Sequence, residues 1–329
     1  MKLTYELIAS IVQGVARVEQ KEEGIQFHRF TEAQERGYDD LGNCQQYATA
    51  GVRLNFKTDS KILYMKVLPR QVCSRKFFAH DILVNGEFIG SLKNKTEEIF
   101  GEFEETFELG EGTKDVCIHF PWSVCSTLKE MSLDDGSFVE PVKNEKKVII
   151  FGDSITQGYD AVNPMNRYAA NLADALEAEE INKAIGGEAF CTWLAELKEE
   201  IDPDYISVAY GTNHWHHSSS QEFRAICEEF YDKLTANYPN AKILAITPIW
   251  RKDRTDITRF ENFEEIGEII ADVVEKYENV TCISGSNFIP EDETLFSDLH
   301  LHPNDAGFKY YSESIRRFIC CYEDKCVIL

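Results

Sequence analysis

No run of 18 consecutive apolar residues occurs in this chain of 329 residues, so no segment reads as a bilayer-spanning helix. Positive charge is also scarce. Lys and Arg number 34 against 57 Asp and Glu, a formal net charge of −23. Nucleic acids and anionic membranes are held mainly by Lys and Arg, so neither is expected as a partner. The ten cysteines include no C-x-x-C pair and no regular spacing, which reads as free thiols in a reducing compartment and not as a disulfide framework. No H-E-x-x-H or other zinc spacing appears. The opening MKLTYELIASIVQGVARVEQ is broken by Gln13 and followed by no small-residue cleavage site, so a cytoplasmic protein is expected. The last four residues, Cys326-Val327-Ile328-Leu329, match the C-a-a-X prenylation pattern, but Glu323 and Asp324 stand where a basic second anchor belongs.

Apolar residues make up 43% of the chain and aromatic residues 12%, enough for packed cores and too much for extensive disorder. From Gln26 to Pro141 the dominant period is two. Val52, Leu54 and Phe56 alternate with Arg53, Asn55 and Lys57, and Val116, Ile118 and Phe120 alternate with Cys117 and His119. Asn85-Gly86 sits between two apolar runs as a two-residue hairpin turn does. These are the marks of an antiparallel β-sandwich.

After the charged link Lys143-Asn144-Glu145-Lys146-Lys147 the pattern changes. Strands are predicted at 148–151, 205–209, 242–246 and 280–283, and helices at 167–179, 221–238, 260–277 and 304–320. Such alternation implies a parallel sheet covered on both faces. The chain therefore divides into a β-sandwich domain at 1–143 and an α/β domain at 144–329. In open sheets of this class the ligand site lies beyond the carboxyl ends of the strands.

Four segments occupy those ends. In Gly152-Asp153-Ser154 a serine between a strand and a helix suits either a nucleophile or an N-cap. Asn182 to Gly187 is a small-residue loop, able to approach a ligand or merely to connect. Asn213, after Gly211-Thr212, fits an oxyanion donor or a turn residue. Asp298, His300 and His302, just before Pro303-Asn304, supply an acid and a base that a nucleophilic serine needs.

Together, in this order, the four blocks resemble the SGNH, or GDSL-type, hydrolase superfamily over residues 147 to 320. The upstream sandwich is similar in arrangement to carbohydrate esterase family 2. The resemblance implies a flavodoxin-like three-layer α/β/α hydrolase domain behind a jelly-roll-like sandwich. It implies Ser154 as nucleophile, His302 as general base, Asp298 as its orienter, and an oxyanion hole made by the amides of Ser154 and Ala184 and the side chain of Asn213. The family usually has Gly where Ala184 stands, often Asp where His214 stands, and one residue fewer between Asp and His. His302 is preferred over His300 because Pro303 to Gly307 follow it. A Ser-His dyad oriented by a backbone carbonyl stays open beside Asp298.

Trp215 and Trp250 follow the ends of two successive strands and are candidate sugar-stacking residues, with core packing as the alternative. Arg167 suits a structural ion pair or a substrate contact. His214, His216 and His217 lie close together, but without a zinc spacing no metal and no cofactor are expected. The expected activity is a serine esterase removing a small acyl group, acetyl foremost, from a carbohydrate hydroxyl, on a small-molecule or oligosaccharide ester. A lipase, thioesterase or lysophospholipase, or a non-catalytic carbohydrate-binding protein, are the alternatives. Nothing in the sequence sets the oligomeric state.

Overall fold

The computed structural model describes residues 1–96 and 98–323; the Cys326–Leu329 pattern lies outside them. Two compact units emerge. One comprises Met1–Glu145 with Val162–Met165 and Glu179–Ile181, the other Lys146–Ala161, Asn166–Ala178 and Asn182–Leu329.

The first unit holds two antiparallel sheets. One runs in the order Val12–Gln13, Arg53–Thr58, Lys114–His119, Ala79–Val84, Glu87–Lys93, with Glu140–Pro141 beside Arg53–Thr58. The other runs Arg17–Lys21, Gly24–His28, Val124–Leu133, Ile62–Gln71, Phe103–Glu108. The period of two sets the pairing, because alternate residues point to one face. Leu54 stands opposite Ile118 and Phe56 opposite Val116, and all four join Phe27, Met65, Val67 and Leu128 of the other sheet in one core. The expected sandwich is present. Its Asn85-Gly86 hairpin has both residues at positive φ, 50° and 82°, the geometry that matches strand twist in a two-residue turn.

The second unit is built on a five-stranded sheet. Its strands are β1 (Lys146–Gly152), β2 (Ala178–Asn182), β3 (Tyr205–Ala209), β4 (Lys242–Ile246) and β5 (Val280–Ile283), in the order β2-β1-β3-β4-β5; of β2, only the end residues Ala178 and Asn182 group with this unit, and Glu179–Ile181 group with the first. The β1/β3, β3/β4 and β4/β5 pairs are parallel. Strand β1 is apolar on both sides for a physical reason. Val148 and Ile150 pack with Leu172 and Ile315 from helices Tyr168–Leu176 and Asp305–Tyr322, while Phe151 meets Phe230 of helix Ser220–Asn237 at a ring distance of 5.9 Å. This is the expected three-layer α/β/α arrangement around a parallel sheet.

Two elements differ from expectation. The helix predicted over 167–179 stops at Leu176, where Glu177 takes a left-handed C-cap (φ 56°); the chain then forms edge strand β2 where helix is expected. Left-handed caps are usually Gly, so no stop signal stood in the sequence. The helix predicted over 260–277 covers Glu264–Val274 only, since Phe260 and Phe263 are buried against Trp215. Among the described residues no helix is long and apolar enough to cross a membrane.

Candidate active site

Strand β1 ends in a turn with little steric freedom. A Cβ on Gly152 would sit 2.1 Å from Thr156 Oγ1, so only glycine fits. Asp153 caps the short helix Ser154–Gln157 by accepting from the Ile155 amide at 3.0 Å. It is almost wholly buried, and that desolvation pushes its carboxyl from the ordinary 3.8 up to about 6. Ser154 follows on the first turn of the helix, 4% exposed.

Ser154 Oγ lies 2.9 Å from His302 Nε2, and His302 Nδ1 lies 2.7 Å from Asp298 Oδ2. The loop between acid and base is held by Asp298 itself, whose Oδ1 accepts from the amides of His300 (3.0 Å), Leu301 (2.7 Å) and His302 (3.1 Å). Leu299 takes a left-handed φ of 56° to make that turn. Burial alone would raise the Asp298 carboxyl, but the bonds from the His302 ring and from the Leu301 and His302 amides outweigh it and hold the group well below the usual range. Asn304 then caps the last helix, accepting from the Ala306 and Gly307 amides. His300 points elsewhere: its Nε2 is 3.4 Å from Asp253 Oδ2.

The second block is tied to the nucleophile turn. The Gly186 amide donates to Gln157 Oε1 at 2.7 Å and Asn182 Nδ2 donates to the Thr156 carbonyl at 3.2 Å. The Ala184 assignment requires correction. Ala184 is 0% exposed and its amide donates to Asn182 Oδ1 at 3.0 Å, so that amide is engaged inside the loop. Three residues on, Gly187 is exposed with φ 81°, and a Cβ there would meet nothing within 4 Å. The next residue, Glu188, accepts from Asn213 Nδ2 through its carbonyl at 2.8 Å. Gly187 is therefore the backbone beside Asn213 that opens on free space. Its left-handed φ, which glycine alone takes without strain, was the signal available in Gly186-Gly187.

Trp215 is the other correction. It is 1% exposed, its Nε1 donates to the Asp253 carbonyl at 3.0 Å, and its ring packs on Phe260 and Phe263. It is a core residue and presents no face to a sugar. Trp250 is half-buried, lies against Phe296 at 5.1 Å, and lines a cavity of about 480 Å³ with Phe263, Arg254 and Cys282. That cavity includes neither Ser154 nor His302 in its walls. Arg167 is 1% exposed, a buried structural position.

The three neighbouring histidines do not converge. His214 is buried, which pushes its ring down to about 4, and its nitrogens meet the Phe190 amide and Ser218 Oγ. His216 instead contacts Asp253 at 2.7 Å. Among the described residues, His216, Asp253 and Asp256, and separately Asp160, Asp298 and His302, bring ligand-type atoms within 4.8 Å of one another.

Residues 150–310 match the GDSL-like lipase/acylhydrolase family. The match falls largely within the second unit, which is similar to GDSL-type ester hydrolases. Across nearly its whole length the chain also resembles solved structures. A salicylyl-acyltransferase from a tetracycline biosynthetic pathway is 21% identical, with 95% of this chain and 94% of that one covered and a TM-score of 0.82. A family two carbohydrate esterase from Clostridium thermocellum, in complex with cellohexaose, is 14% identical, covering 96% and 100%, at 0.67. An acetyl xylan esterase from the rumen bacterium Butyrivibrio proteoclasticus is 16% identical, covering 98% and 99%, at 0.64. No curated protein matches the chain by sequence. At these identities the solved structures establish a shared fold, and the GDSL-type match carries the chemistry.

Proposed function

We propose that the GDSL-type domain is a serine esterase that removes a small acyl group, acetyl foremost, from a carbohydrate hydroxyl. The observation that carries the reading is the continuous hydrogen-bonded line from Ser154 Oγ through the His302 ring to Asp298. Ser154 attacks the ester carbonyl, and His302 Nε2 takes its proton and delivers it to the leaving alcohol. Asp298 holds the ring in the tautomer that leaves Nε2 free to accept and stabilises the imidazolium formed. Water, activated by the same histidine, then releases the acid. The developing oxyanion is met by the Ser154 amide, the Gly187 amide and the Asn213 side chain, whose second amide hydrogen is left after its bond to Glu188. No step calls for a cofactor. Trp250 is the aromatic surface left for the sugar. The carbohydrate assignment is supported by the family two esterase and the acetyl xylan esterase sharing the two-domain fold.

Hydrolysis of a p-nitrophenyl acyl series from acetate to octanoate, followed by acetylated xylo- and cello-oligosaccharides, tests the reading. Turnover that falls steeply beyond short chains and vanishes in Ser154→Ala is expected. Equal rates across the series would overturn the small-acyl assignment, and full activity in Ser154→Ala would overturn the mechanism.

A further inference from the structure

The oxyanion donor and the base sit on different loops, and nothing in the Ser154–His302–Asp298 line fixes one loop against the other. A buried ion pair lies between them. Arg251, 5% exposed, follows strand β4. Its Nη1 donates to the Thr212 carbonyl at 2.6 Å and to Thr212 Oγ1 at 3.1 Å, one residue before Asn213. Its Nε and Nη2 form a fork on Asp253, to Oδ1 and Oδ2. Asp253 Oδ2 in turn faces His216 Nε2 at 2.7 Å, on the loop that carries Asn213, and His300 Nε2 at 3.4 Å, two residues before His302. The Lys252 amide also donates to the His300 carbonyl at 3.0 Å. Burial would raise the Asp253 carboxyl, but the bonds from Arg251 and His216 pull it down to about 2, so Asp253 stays ionised throughout the neutral range.

From this geometry we propose that Arg251 and Asp253 are positioning residues for the reaction: one planar fork sets the Asn213 donor against the His302 base. The inference rests on the esterase reading given above and adds to it two residues that touch no reacting atom. A fork has a fixed geometry that a lysine lacks, and two loops joined through it share one register. Loosening it displaces Asn213 from the oxyanion without removing a substrate contact. A misplacement of about 1 Å costs on the order of 10²-fold in rate.

The test uses p-nitrophenyl acetate with the full chain and Arg251→Ala, Arg251→Lys, Asp253→Asn, Asn213→Ala and the Arg251→Ala/Asn213→Ala double variant, with thermal unfolding recorded for each. The expected result is a kcat loss of about 10²-fold in Arg251→Ala with KM within about twofold. Arg251→Lys is expected to recover less than a tenth of the wild-type kcat. Added guanidinium ion should restore part of the Arg251→Ala rate but none of the Asn213→Ala rate. The double variant should be no slower than Asn213→Ala by more than about threefold, because the two act on one interaction. Losses that multiply in the double variant, a KM effect at constant kcat, or unchanged kcat in Arg251→Ala and Asp253→Asn would each overturn the proposal. If Arg251→Ala does not fold, Asp253→Asn, nearly isosteric, decides the same question through its kcat. Ser154→Ala measured alongside separates the two failures, since full activity there refutes the esterase reading whatever the fork does.

Discussion

Asp298 Oδ2 meets His302 Nδ1 at 2.7 Å although the two residues are four apart, because the intervening amides fold back onto the other oxygen of the same carboxylate. The bond makes Asp298, and not a backbone carbonyl, the partner of the ring. Its kinetic weight is testable. Asp298→Ala is expected to lower kcat by roughly 10³-fold or more, and Ser154→Ala or His302→Ala by more still. His300→Ala, which removes a ring 3.4 Å from Asp253, should cost no more than about fivefold by the same scale. Steady-state kinetics on p-nitrophenyl acetate decides it, and an inverted order of His300 and His302 would reassign the base.

The two tryptophans should separate in stability. Trp215 is fully enclosed, so Trp215→Ala is expected to cost about 3–5 kcal/mol, read from urea unfolding. Trp250 is only half-buried, so Trp250→Ala should cost less than half as much while raising KM for an acetylated oligosaccharide. Equal stability losses would place Trp250 in the core as well.

Asp153 gives the folded protein a pH signature. Its carboxyl titrates near 6 when folded and near its ordinary 3.8 when unfolded. Across that window the folded state holds a proton that the unfolded chain releases, so the group's contribution to stability falls as pH rises from about 4 to about 6 and is constant above. Asp153→Asn keeps an N-cap acceptor and removes the titration. Its Tm, measured from pH 4 to pH 7, should decline less than that of the wild type; parallel curves would refute the raised value.

Gly152→Ala tests the nucleophile turn. The new methyl collides with Thr156, and forced repacking of this kind costs about 1–3 kcal/mol. Because Thr156 lies on the same short helix as Ser154, kcat should fall more than stability alone explains. Calorimetry and kinetics on the same preparation check this.

Much of the architecture was legible because it is written in local chemistry. The alternation around Leu54 and Val116 and the Asn85-Gly86 turn each state their structure within a few residues. What escaped depended on distant neighbours or on unusual backbone. Strand β2 hid behind Glu177, which caps a helix in a conformation that its side chain does not advertise. Trp215 looked like a rim residue because its covering rings, Phe260 and Phe263, come from some forty-five residues further on. The resemblance puts the second-block donor at Ala184, whose amide is engaged by Asn182, because where an amide points depends on which way the loop turns after Asn182. Arg251 and Asp253 carry no motif at all; only folding brings them between Thr212 and His300.

The turn at Leu299 has one further consequence. Three amides converge on Asp298 Oδ1, so the acid builds the scaffold that presents it to its own base, and the extra residue is taken up by an exposed side chain in a left-handed turn. The count of residues from acid to base is therefore a property of the loop and not of the chemistry. In this loop a spacing of four residues reaches the His302 ring at 2.7 Å, because the left-handed turn at Leu299 shortens the path that the count of residues lengthens.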